Sequence, residues 1–175
     1  MKQVIVTPHR IRPLEGEDDV QRCAEIMVIS EPWVTLGRTR EAALKLLSDP
    51  SREISVAADP ESGELFGFVI VLMQGAFVGY IQTVAVAAQC RGRGIGSLLI
   101  AHAESRIFRE SPNVFLCVSS FNHSARALYE RLGYAEVAEL HDYVVRGYSE
   151  FLMRKTRGAL NEFRASGHTP SPSST

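Results

Sequence analysis

The chain has 175 residues, of which 45% are hydrophobic and 22% charged, and its formal net charge is -1. That is enough chain for one domain with a sizeable core, and a near-neutral balance argues against a polyanion-binding surface. No stretch approaches the ~20 apolar residues that span a bilayer, and MKQVIVTPHR lacks a signal-peptide apolar region, so a cytoplasmic protein without nucleic-acid or membrane partners is expected.

Residues 1–8 read as a lead-in, 9–157 as one domain, and 158–175 as a Ser/Pro/Thr/Gly-rich flexible tail, disordered from about Ala165. His9 to Leu14 alternates polar and apolar and reads as a short strand, with Pro13 placing it at an edge or ending it. Asp18 to Ile29 carries Val20, Cys23, Ile26 and Met27 at near-helical spacing, and Pro32 stops that helix. Thr39 to Leu47 predicts a second helix with Thr39 as its N-cap.

The period then changes to two. Arg52 to Ala58, Phe66 to Met73 and Phe77 to Ala87 predict an antiparallel meander, broken at Asp59-Pro60-Glu61-Ser62-Gly63 and at Gln74-Gly75. Gly94 to Phe108 predicts a helix with Ile95, Leu99, Ala103 and Ile107 in one apolar row. Val114 to Val118 is a short buried strand, Asn122 to Leu132 a helix stopped by Gly133, and Tyr134 to Leu140 and Tyr148 to Arg154 two closing strands. Arg154-Lys155-Thr156-Arg157 is expected to end the last strand as a solvated edge. The order β-α-α-β-β-β-α-β-α-β-β implies an α/β (α+β) fold: a mixed, mostly antiparallel sheet with helices on both faces. Tyr80 to Val118 forms a βαβ crossover.

Cys23, Cys90 and Cys117 match no CxxC pattern and are each expected as core-filling thiols. The five histidines lack metal-ligand spacing, so no metal is expected.

The chemistry concentrates at Arg91-Gly92-Arg93-Gly94-Ile95-Gly96. Glycines let backbone approach a ligand closely and adopt positive φ. A helix start offers unpaired N–H groups and the positive end of its dipole, which together suit a phosphate or pyrophosphate. The spacing is neither GxxxxGK[ST] nor GxGxxG, which counts against a nucleotide-binding domain of another type.

Arg91-x-x-Gly94-x-Gly96 resembles the R/Q-x-x-G-x-G/A motif of the GCN5-related N-acetyltransferase (GNAT) superfamily. Asn122-x-x-Ala125-x-x-x-Tyr129-x-x-x-Gly133-Tyr134 resembles its second signature segment. The likeness covers about residues 9 to 155 and is densest from Tyr80 to Tyr134.

The resemblance implies a GNAT-like fold, acetyl-CoA as co-substrate, and acetyl transfer to a primary amine of a small molecule or peptide by direct attack in a ternary complex. It implies a bulged strand at Val84, Ala85 and Val86 that splays from Val114 to Val118. Pantetheine would pair with Val84 and Val86 as an added strand. N–H groups from Arg91 through Gly92, Arg93, Gly94, Ile95 and Gly96 to Ser97 would hold the pyrophosphate, Asn122 would contact the pantetheine arm, and Ala125 belongs to the same segment. Tyr129 is the implied general acid for the leaving thiolate, and an N–H near Val84 would stabilise the carbonyl oxygen.

Phe77 to Val86 holds no carboxylate, where many superfamily members place a glutamate base. A water chain, Glu31, His141 or Asp142 is left as the alternative. Trp33 is expected as an acceptor-lid or packing residue, and Tyr143 to Tyr148 as a hairpin bordering the acceptor or a dimer contact, since homodimers are common in that superfamily. A non-catalytic acyl-CoA-binding or sensing module stays open as the alternative reading.

Overall fold

The computed structural model describes residues 9–164, so the expected lead-in (1–8) and the tail from Ala165 lie outside the described residues. The order is β1 (Arg10–Pro13), α1 (Gly16–Val28), α2 (Arg40–Leu47), β2 (Glu53–Ala58), β3 (Leu65–Leu72), β4 (Tyr80–Val86), α3 (Ile95–Ile107), β5 (Asn113–Ser119), α4 (His123–Arg131), β6 (Ala135–His141) and β7 (Ser149–Thr156). Single-turn 3-10 segments add Ala88–Cys90 and Leu160–Glu162. The order of strands and helices is the one the sequence predicts.

The described strands form one seven-stranded sheet in the order β1-β2-β3-β4-β5-β7-β6. All neighbours are antiparallel except β4 and β5, which are parallel as the βαβ reading requires. Pro13 sits on edge strand β1, where a missing N–H is tolerated. β3 is buried along almost its whole length, as a strand covered on both faces must be. α1 packs with α2 and against β3, while α3 lies across β2 to β5. Ile95, Leu99, Ala103 and Ile107 are all buried, so the i+4 row seats α3 on the sheet.

Local caps follow the sequence. Thr39 Oγ1 accepts from Ala42 N at 3.2 Å, and Asn122 Oδ1 accepts from Ala125 N at 3.3 Å, each capping the helix that follows. Asp19 in the first turn of α1 accepts from Glu15 N at 2.9 Å and from Arg12 Nη2 at 3.1 Å, joining β1 to α1. The Arg12 hydrogen bond holds the Asp19 carboxyl below the usual carboxylate range.

Two expectations are corrected. β4 begins at Tyr80, not Phe77, because Gly79 turns the chain at φ 86 against Ile107 and the Asn113 carbonyl. The last strand is not an edge: β7 lies between β5 and β6, pairing Phe151 with Val118 on one side and Glu139 on the other. The cationic run stays largely solvated, as expected, but two of its side chains also bind the fold. Lys155 Nζ donates to Glu104 Oε2 at 2.7 Å, and the Arg157 guanidinium lies 3.9 Å over the Phe108 ring.

Candidate active site

The site begins as a fault in the sheet. Ile70 pairs with Thr83 and Val71 with Ile81, so Gln82 is an extra residue in β4, a bulge two residues before Val84. The parallel ladder to β5 joins only Tyr80–Phe115 and Ile81–Leu116. Beyond Ile81 the two strands separate. Ala87 N donates to the Phe66 carbonyl at 2.9 Å. In an antiparallel ladder that register turns the peptide groups of Val84 and Val86 away from β3, toward the gap. Gln82 Oε1 is held by Arg52 Nε at 2.9 Å.

The gap opens into a cavity of about 670 Å³. Its walls are the α1–α2 loop with Glu31 and Trp33, β4 from Tyr80 to Val84, β5 from Cys117 to Ser119, α4 with Asn122, Ala125 and Tyr129, the β6–β7 loop with Tyr143 and Val144, and β7 with Glu150 and Leu152. Trp33 is buried and also lines the cavity, so it packs and borders the site at once. Val84, Asn122, Ala125 and Tyr129 are therefore brought together as expected from the sequence. Ala85 points into the core instead.

Tyr129 is 9% exposed, with its ring 5.9 Å from that of Tyr134 in an edge-on arrangement. Burial pushes its phenol up to about 12, so the hydroxyl stays protonated and able to donate through the neutral range.

The glycine turn forms the other part. Gly92 and Gly94 have φ of 72° and 82°, and nothing lies within 4 Å of a Cβ built on either. Gly94 is the N-cap of α3 and offers no side chain, so the first-turn N–H groups of α3 carry no side-chain cap. These are the features an incoming pyrophosphate needs. Gly96 sits in the first turn at ordinary contact with Leu128 Cδ2 (3.7 Å) and Val86 Cγ2 (3.8 Å), where α3, α4 and β4 meet. The neighbouring Ser97 is half-buried. Arg93 lies 5.8 Å over the Phe66 ring, and Arg91 donates from Nε to the Val86 carbonyl at 3.2 Å and from Nη2 to Ser30 Oγ at 3.0 Å.

The carboxylate missing from β4 is found on β7. Glu150 is 6% exposed, lines the cavity, and accepts from Ser119 Oγ at 2.6 Å. Burial raises its carboxyl above the usual range, and the Ser119 hydrogen bond partly offsets this. Beside it, burial and then the neighbouring Cys117 push the Tyr80 phenol up. Cys117 is half-buried on the cavity wall, whereas Cys23 and Cys90 are core thiols as expected. The other carboxylates weighed as bases are less suited. Glu31 is exposed and is taken up by Thr35 N at 3.2 Å and Thr35 Oγ1 at 3.1 Å. Asp142 accepts from Gly147 N at 2.6 Å to shape its loop, and the His141 side chain is 76% exposed and bonded to Ser149. His123 is exposed at the start of α4.

Residues 18–134 match the model of the acetyltransferase (GNAT) family. A blasticidin-S acetyltransferase from Streptomyces morookaense is 31% identical over 116 residues, covering 62% of this chain and 85% of that protein. The chain spans only 28% to 62% of the length of the other curated relatives it matches. Among solved structures, Arabidopsis thaliana NAA60 with a bisubstrate analogue superposes with a TM-score of 0.69 at 22% identity, covering 85% of this chain and 98% of that one. An aminoglycoside 6'-N-acetyltransferase in complex with coenzyme A gives 0.68 at 17% identity, covering 84% and 96%. These two likenesses concern the fold.

Proposed function

The chain belongs to the acetyltransferase (GNAT) family, and on that premise we propose that it moves the acetyl group of acetyl-CoA to a primary amine by direct attack in a ternary complex. One observation carries the reading: the gap between β4 and β5 opens into a cavity that has Tyr129 in its wall.

The residues present fit acetyl-CoA. The uncapped first turn of α3 would hold the pyrophosphate with the peptide groups from Arg91 to Ser97. The Val84 peptide groups and the Val86 N–H would pair with pantetheine amides along the side of β4 turned from β3, the Val86 carbonyl being held by Arg91 Nε. Asn122 lines the same channel, but its Oδ1 is already committed to Ala125 N. Acetyl-CoA supplies an acyl group on a thiol leaving group. Tyr129 would donate its phenolic proton where that thiolate forms, and a peptide N–H near Val84 would face the carbonyl oxygen.

A non-catalytic acyl-CoA sensor is the alternative that the lack of a carboxylate from Phe77 to Val86 suggests. Glu150 on the cavity wall weakens that alternative. Acceptor classes suggested by relatives are blasticidin S, aminoglycosides, polyamines and peptide N-termini. Free-thiol release from acetyl-CoA across such a panel tests the reading. Turnover with at least one amine, with a matching acetylated product by mass, is expected. CoA binding with no thiol release above hydrolysis for any amine would favour the sensor.

A further inference from the structure

We propose that Glu150 is the catalytic group on the acceptor side of the cavity: it pairs with the acceptor's ammonium and takes its proton. The inference rests on the acetyl-transfer reading above.

Placement comes first. In the sheet, Glu150 is registered opposite Ser119, three residues beyond Leu116, where the β4–β5 ladder ends. At ~3.3 Å per residue, Ser119 and Glu150 lie roughly 10 Å into the splayed region. Cys117, Ser119, Glu150 and Leu152 share one face of the β5–β7 pair, and all four line the cavity. Because β7 is an interior strand, its backbone is fixed on both sides and the carboxylate is held on a rigid element.

The electrostatics are incomplete without a ligand. Among the described residues no lysine, arginine or histidine forms an ion pair with Glu150. The hydrogen bond it accepts, on Oε1, comes from the neutral Ser119 hydroxyl. A buried carboxylate without a cation is costly. An incoming ammonium would relieve that cost. The titratable and charged groups that line the same cavity are Tyr80 on β4, Cys117 on β5, Tyr129 on α4, Tyr143 after β6, and Glu31 and Arg38 from the α1–α2 loop, with Ser119 on β5 and Leu140 on β6 registered beside Glu150.

The step balances. The acceptor's R–NH3+ gives one proton to the Glu150 carboxylate and becomes R–NH2. The amine nitrogen forms the N–C bond as the C–S bond breaks. The thiolate takes the Tyr129 proton, and the nitrogen's second proton restores the phenol through water. Glu150 releases its proton to solvent, so the sum is amide, free thiol and one proton. An amine that is already neutral would not need Glu150.

The test uses the full chain with the best amine from the acceptor panel, comparing wild type, Glu150→Gln and Ser119→Ala over pH 5.5 to about 10. Thermal stabilisation by CoA reports folding and cofactor binding in each. Glu150→Gln is expected to lower kcat by at least ~100-fold near pH 7, to keep CoA binding, and to recover as pH approaches the amine's own pKa. Ser119→Ala is expected to shift the acidic limb of kcat/KM to higher pH, because it removes a bond that favours the charged carboxylate. That shift can be read even if the glutamine variant fails to fold. Turnover within threefold of wild type in Glu150→Gln, or an unmoved limb in Ser119→Ala, overturns the assignment. A wild type that acetylates no amine would instead remove the acetyl-transfer reading itself.

Discussion

Arg91 Nε donates to the Val86 carbonyl at 3.2 Å, so the first residue of the glycine turn grips the strand edge it has just left. Its Nη2 also reaches Ser30 Oγ, a buried hydroxyl just after α1, at 3.0 Å. One guanidinium thus ties the end of β4 to α1 while the turn's backbone stays open.

Arg91→Ala should therefore cost both order and affinity. Two hydrogen bonds of this kind contribute about 1–2 kcal/mol together. A Tm lower by a few degrees and a roughly tenfold weaker CoA affinity are expected, checked by melts and calorimetric titration. Arg91→Lys should restore little, since an ammonium lacks the fork that spans both acceptors. An unchanged CoA affinity in the folded alanine variant removes the Arg91 side chain from the cofactor grip.

Tyr129→Phe deletes one oxygen from the cavity wall and leaves the ring against Tyr134. Turnover should fall more than tenfold with acetyl-CoA binding retained. Steady-state rates beside a CoA titration give the answer, and near wild-type turnover removes Tyr129 from the mechanism.

Two glycines test packing against function. A Cβ at Gly67 would stand 2.4 Å from the Ala85 carbonyl oxygen, a backbone atom in the neighbouring interior strand. Gly67→Ala should lower stability by roughly 3 kcal/mol or prevent folding. A Cβ at Gly96 meets only Leu128 and Val86, at 3.7 and 3.8 Å. Gly96→Ala should fold with stability within about 1 kcal/mol of wild type, since alanine suits a helix better than glycine. Urea melts of the two variants check the contrast.

The catalytic proposal for Glu150 carries a separate consequence for stability. Its carboxyl is raised in the folded protein, so the protonated form fits the native site better than the charged form does. The associated stability is complete below the unfolded value of ~4.3 and is lost as pH rises through the higher folded value. Glu150→Gln is neutral throughout and avoids that loss. Its Tm relative to wild type should rise as pH goes from ~4 to ~8, measured by scanning calorimetry without ligand. A difference that stays flat with pH would show the carboxylate is not under strain.

The fold was legible where the determinants are local. The row Ile95, Leu99, Ala103 and Ile107, the Thr39 cap and the paired motifs at Arg91 to Gly96 and Asn122 to Tyr134 each act within a turn or two of the chain. Strand order is different, because it depends on contacts far apart in sequence. Arg154 to Arg157 looks like a solvated edge as a string, yet Lys155 finds Glu104 on α3 and Arg157 finds Phe108. Glu150 is hidden in the sequence for the same reason. On its own strand it is one polar residue between Ser149 and Phe151, and only the pairing with Ser119 turns it into the gap. A lone acid in an otherwise β-forming segment was the signal available.

The insertion of β7 between β5 and β6 also sets the order in which the site comes into being during synthesis. Both signature segments and α4 have been synthesised by Tyr134, but β5 then has no partner on the side that β7 takes and the cavity lacks the wall that carries Glu150. That wall forms only when Ser149 to Thr156 pairs between β5 and β6. A chain truncated after Tyr134 and released would expose the β5 edge to other chains, so the strand that completes the cavity wall is also the one that covers β5.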